Sequence, residues 1–588
     1  MRIIDRITVA AALFMTVVTG AHAQTAGGGD AHGSHAAGAC GYQWVNDGHD
    51  AEGLVNTARL NPALYRTMLQ RVKEGNSRID LVRVSGDYTF FVRQRSAPYN
   101  FSEVPATLRY SGKLARIWVD DLDNSRITNS TINTLAIRLD SITAAASRNP
   151  QKGILENDIE VFGETPKQFE TEGKTDFLIT DIKDSLVGAF VAGYFNPYDQ
   201  TSNPGSNQLN LLYIDSREGL NSGMNAVSNT LAHEFQHLIH YNTNPSSDRL
   251  FNEGCSEAAS IICGYADRRM GEFFANTNIN LFRWTFDDGA KILADYSRAM
   301  TLMYYLFEQF GETYLTAFNS TRTDGILRIR DAMVASGRGD DWRAVLRNWS
   351  VANYLQRDFG DTRYIYQKNA SLANRKPATT ARYDTTLTSA NGNVTLEPYA
   401  SAYIDYANPK GSPYGLKATF TSTGNVGVMA ILYRRNIANV DSCVGVAQLT
   451  IGEEAFLGEF GAYSKVTFVL VNTEEAAFTS RIDWSISQAT LGVDGYRSTR
   501  SGLSLSSISP NPARGLAAIL FTIPVSGRVT LDLHDQRGVL VRRIVDGVRY
   551  ESGEQSLRLD VSDLPGGYYF LRLMNGEAIV NRSFVVAR

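Results

Sequence analysis

Residues 231–241 read LAHEFQHLIHY, and His233-Glu234-Phe235-Gln236-His237 sets two histidines four positions apart with a glutamate beside the first. On a helix, positions i and i+4 lie one turn apart on the same face, so both imidazoles can converge on one metal ion. Glu234 is then placed to take a proton from water that the metal activates. Val227, Leu231, Phe235 and Leu238 recur at helical spacing over 226–241, and Asn242–Pro245 supplies the stop. The chain has only eight histidines, three of them in this stretch. His240 is a poor third ligand, because seven residues of helix separate it from His233 by about 10.5 Å.

Working outward, the third ligand is sought in Phe251-Asn252-Glu253-Gly254-Cys255-Ser256-Glu257, on a helix expected over 253–265. Glu253 and Glu257 stand at i and i+4 and face the same way. The glycine and third histidine that would mark a metzincin are missing, since those positions hold His240 and Thr243. HEFQHLIHY followed by NEGCSEAAS resembles the gluzincin metallopeptidases, the thermolysin clan, and within it the hyicolysin-like branch. The resemblance implies an α+β zincin-like catalytic domain and one catalytic Zn2+ held by His233, His237 and Glu253. It also implies that Glu257 holds one of the histidine ligands in place without touching the metal. The interval from His237 to Glu253 is shorter than thermolysin's, whereas Glu257 would match that interval but not its Asn-Glu context. A helix over 295–309 carries Tyr296 where related proteins hold a tyrosine, which makes Tyr296 the candidate oxyanion donor beside general base Glu234. No acidic loop has convincing ligand spacing for a structural Ca2+.

The chain of 588 residues has 57 Lys and Arg against 61 Asp and Glu, and this balance points away from nucleic acid. Residues 1–23 read as a signal peptide, with Arg2 and Arg6 ahead of an apolar run and Ala21-His22-Ala23 at the cleavage site. Beyond that run no stretch is long and apolar enough for a transmembrane segment. Residues 24–40 read as a flexible linker with solvated His32 and His35. Residues 41–375 read as the catalytic region, with strands at 114–119, 177–182, 189–195 and 209–214 and a further helix at 133–146. Either of the strands at 189–195 and 209–214 is a candidate edge for substrate backbone. Residues 41–100 are either a propeptide or the first strands of that region. If Cys255 and Cys263 share one helix they lie about 12 Å apart, beyond disulfide reach.

From 376 to 488 short alternating strands signal a β-sandwich, so two all-β (sandwich/Ig-like) domains follow the catalytic one. Residues 489–508 read as a linker. Residues 509–588 open on Ser509-Pro510-Asn511-Pro512, turn at Asp535-Gln536-Arg537-Gly538 and run through LPGGYYFLRL to VNRSFVVAR. This module is similar to the C-terminal sorting domain of type IX secretion cargo, which implies the type IX machinery as partner. By this reading the chain is a secreted metalloendopeptidase acting on protein or peptide, extracellular or attached to the outer-membrane surface. The rival class is a surface adhesin with a degenerate peptidase-like domain and a structural metal. A dead enzyme could lose Glu234 without harm to folding, so Glu234 weighs against that rival.

Overall fold

The computed structural model describes residues 38–40, 49–74, 87–94, 99–183, 190–265, 272–285, 289–356, 359–366, 376–408, 415–435, 440–457, 460, 463–489, 503–505, 508–523, 525–535, 539–576 and 578–587. The expected signal peptide, with His32 and His35, lies outside the described residues. The upstream half is α/β, and the downstream half is built from β-sheets.

Seven strands form the upstream sheet: β1 (Gly38–Cys40), β2 (Asp87–Arg93), β3 (Phe101–Ser111), β4 (Ala115–Asp120), β5 (Thr175–Thr180), β6 (Phe190–Phe195) and β7 (Leu211–Asp215). Their spatial order is β1-β6-β7-β5-β4-β3-β2. The centre, β4, β5 and β7, is parallel, while β6 runs antiparallel to β7. Parallel central strands are buried on both faces, which explains their near-continuous apolar runs. Ile117, Phe177, Ile179 and Leu212 face the helices, whereas Trp118, Leu178, Leu211 and Tyr213 fill a second core on the other face. β2 and β3 complete the far side of this sheet. Asp87–Arg93 and Phe101–Ser111 are therefore integral strands of it.

Two expectations shift. The helix expected at 133–146 spans Asn129–Asp140, because the Thr128 hydroxyl accepts from Thr131 N and starts it a turn earlier. Gly38–Cys40, within the stretch read as a flexible linker, forms a strand parallel to β6. The physical reason lies in β6, whose outer edge offers a row of backbone donors and acceptors to any chain beside it.

Three helices build the site. The motif helix runs Met224–Thr243, the glutamate helix Arg249–Ile262 and the tyrosine helix Gly289–Phe310. Every residue of the motif helix from Val227 to His240 is buried, so it packs on all sides, as a central helix must. The downstream sandwich has a five-stranded sheet that includes Ser401–Ala407, Val426–Arg435 and Lys465–Asn472, and a four-stranded partner. Its side chains alternate between two destinations. Val428, Ala430, Phe468 and Leu470 enter the sandwich core, while Tyr403, Met429, Ile431, Val469 and Val471 join the core of the helical region. The last unit packs a three-stranded sheet on a four-stranded one around its own core. Leu503 and Leu505, read as linker, are buried in that core.

Candidate metal centre

The motif helix presents His233 and His237 one turn apart, both fully enclosed. Their Nε2 atoms lie 3.1 Å from each other. Glu253, from the glutamate helix, brings Oε2 to 3.4 Å from His233 Nε2 and 3.5 Å from His237 Nε2. Among the described residues these three form a set able to hold a metal. Ligands about 2.0–2.1 Å from a tetrahedral zinc stand about 3.3 Å apart, so the three separations suit that ion.

The outer nitrogens fix the ring tautomers. His237 Nδ1 lies 2.8 Å from Asn252 Oδ1, an acceptor. It is also 3.0 Å from Ser256 Oγ, whose own proton goes to Gln236 Oε1 at 2.6 Å. His233 Nδ1 lies 3.3 Å from the Glu257 carboxylate. His237 Nδ1 therefore carries the proton and donates outward, and the nearby Glu257 carboxylate favours the same tautomer in His233, leaving each Nε2 lone pair pointing inward. Two lone pairs and a carboxylate then face one another on side chains that are almost wholly buried. Such a group of electron-pair donors repels itself unless a cation sits among them, and the donor set is that of zinc.

Glu234 is 1 % exposed. Its Oε2 accepts from the backbone N–H of Phe195, the last residue of β6, at 3.0 Å. Its Oε1 has no hydrogen-bond partner among the described residues. Tyr296 is 6 % exposed, with its ring 6.3 Å from the His233 ring and edge-on to Trp284 at 5.3 Å. On either side of it along the helix stands the buried pair Asp295–Arg298 at 2.7 Å, while Asp295 also accepts from Thr285 N at 2.7 Å. His240 stands apart from the cluster and is kept neutral by burial and by the Arg328 charge.

Sequence reasoning named the three ligand candidates, Glu234, Glu257 and Tyr296, and the structure brings them into one neighbourhood. It missed Phe195, whose contribution is a backbone amide and leaves no mark in the sequence. It also gave no role to Asn252, Ser256 and Gln236, although the first two stand in the quoted NEGCSE segment. Cys255 and Cys263 are both free thiols, and burial pushes Cys255 up to about 12.

Two comparisons bear on this site and on the tail. Over 144 residues the sequence is 31 % identical to the neutral metalloprotease ShpI of Staphylococcus hyicus, covering 23 % of this chain and 30 % of that protein. The chain thus spans under a third of the length of this relative. Residues 507–587 match the secretion system C-terminal sorting domain. Among solved structures, a mitogen from Yersinia pseudotuberculosis is 17 % identical and covers 19 % of this chain and 95 % of its own, with a TM-score of 0.14. A periplasmic inhibitor of g-type lysozyme from Escherichia coli is 11 % identical and covers 19 % and 99 %, with a TM-score of 0.13. Among the described residues no helix is long and apolar enough to cross a membrane. With closely spaced histidine and glutamate donors upstream and that match downstream, the chain carries a type IX secretion sorting domain and is similar in part to a neutral metalloprotease.

Proposed function

We propose that the chain is a secreted zinc metalloendopeptidase that hydrolyses peptide bonds in proteins. The observation that carries this reading is the inward-facing lone pairs of His233 and His237 opposite Glu253, with Glu234 on the same helix. A bound zinc ion would supply Lewis acidity, lowering the pKa of a coordinated water and polarising the substrate carbonyl.

The protein's own groups do the rest. Glu257 and Asn252 hold the two imidazoles in the tautomer that leaves Nε2 free. The Phe195 amide fixes one oxygen of the Glu234 carboxylate, so the other is aimed and available as general base. Glu234 takes the proton from the attacking water and returns it to the leaving amine. The Tyr296 hydroxyl serves as donor to the carbonyl oxygen as negative charge develops there. The sorting domain supports export by the type IX route to the surface or the medium.

The test is zinc content together with casein hydrolysis. Glu234→Gln should keep its zinc and lose activity by about a hundred- to ten-thousand-fold, the usual share of a general base. Glu253→Ala should lose zinc, while Glu257→Ala should retain it with about 10–100-fold weaker affinity. Full zinc in Glu253→Ala with loss in Glu257→Ala would overturn the ligand assignment. Zinc bound by both wild type and Glu234→Gln, with no protein cleaved by either, would replace the peptidase with the adhesin.

A further inference from the structure

The first strand of the sheet has no evident part in closing the fold. β1 is three residues long and sits at the end of the sheet, beside β6 and parallel to it, with Gly38 opposite Phe190, Ala39 opposite Val191 and Cys40 opposite Gly193. The inner edge of β6 is already paired with β7 over Gly193–Phe195. What β1 covers is the outer edge, a row of backbone groups that would otherwise stand ready to bind an extended chain.

That edge is locked to the candidate metal centre by two close contacts. Gly193 lies so near the motif helix that a Cβ there would stand 2.9 Å from Thr230 Cγ2 and 2.7 Å from the Tyr213 carbonyl oxygen. Two residues on, Phe195 N–H holds the Glu234 carboxylate. An extended chain on the outer edge of β6 therefore lies one strand spacing, about 4.8 Å, from the strand that positions the general base. The occupant is Gly-Ala-Cys, small enough for its backbone to approach closely.

We propose that residues 38–40 are an intramolecular plug: they hold the strand position that substrate backbone must take, so turnover is slowed while β1 is in place. The proposal rests on the peptidase reading for its consequence, but the edge pairing can be measured without catalysis. Ala39→Pro in the full chain restricts the backbone at the middle of the plug and disfavours strand pairing there. Hydrogen exchange at the amides of Phe190–Phe195, zinc content and casein hydrolysis are followed in wild type and variant. A synthetic peptide of residues 34–44 is then added in trans.

The expected result is unchanged zinc, with exchange of the β6 amides and casein hydrolysis each faster by about tenfold or more in the variant. The added peptide should reverse both. Unchanged exchange and unchanged hydrolysis would overturn the proposal. So would faster exchange with hydrolysis equal to an active wild type, which would leave the peptidase reading intact and place substrate elsewhere. Faster exchange reversed by peptide, with no cleavage by either chain, would uphold the pairing and sink the peptidase reading instead.

Discussion

At the scale of single residues, the sequence pattern and the structure divide the work. HExxH names the two histidines, but which of Glu253 and Glu257 faces Nε2 is a question of side-chain direction that i and i+4 spacing leaves open. The helix crossing decides it: Glu253 approaches the inner nitrogens and Glu257 an outer one. A second buried carboxylate outside the centre carries a prediction about pH. Asp199 is pushed up to about 7 by burial, against bonds from Asn207 and Tyr213 that favour its charged form. Because the folded pKa lies above the unfolded one, its stabilising contribution is full below about pH 4 and is lost as pH rises towards 7. Its slope is at most about 1.4 kcal/mol per pH unit over that window. Asp199→Asn should flatten this part of the stability profile, as followed by urea unfolding at pH 5 and pH 7. An unchanged slope would refute the assignment.

Among elements, the meeting of the glutamate and tyrosine helices depends on one missing methyl group. A Cβ on Gly254 would stand 2.5 Å from Met303 Cγ and 3.0 Å from the Ala299 carbonyl oxygen. Gly254→Ala should therefore push the helices apart beside Glu253, costing about 1–3 kcal/mol in stability and weakening zinc binding. Thermal unfolding with and without chelator would measure both. In sequence, Gly254 is only a helix-weakening residue next to a ligand candidate, because the partner across the contact lies some fifty positions away. The central strands and the site helices were legible from their apolar runs and spacing. β1 was not, since three small residues in a Gly/Ala/His-rich stretch carry no periodicity, and only the edge they meet makes them a strand.

Across the whole molecule, the sequence divides the chain into successive modules more cleanly than its cores do. Alternation correctly announced strands over 401–406, 427–433 and 465–471, but polar–apolar alternation implies one wet face, and these three central strands are buried on both. Met429 and Ile431 belong to the helical region's core as fully as Val428 and Ala430 belong to the sandwich's. Removing residues 381–489 would therefore strip the helical region of a buried face and should yield an aggregating or molten product. Removing residues 503–588, which keep their own core, should leave the unfolding midpoint of the remainder within about 2–4 °C of its original value. Calorimetry of the full chain should show the tail melting as a separate transition.

The doubly buried sheet has a mechanical consequence. If the tail becomes the point of attachment to a cell surface, tension enters the sandwich at its last strand, Ser480–Ala489. From there it passes into the helical region through the face of the sheet that the two share. The load crosses packed side chains such as Tyr403, whose hydroxyl donates to the Ser350 carbonyl at 2.8 Å. An anchored molecule of this kind holds its reactive centre at a fixed attitude to the sandwich through which it is pulled, like a tool on a rigid handle.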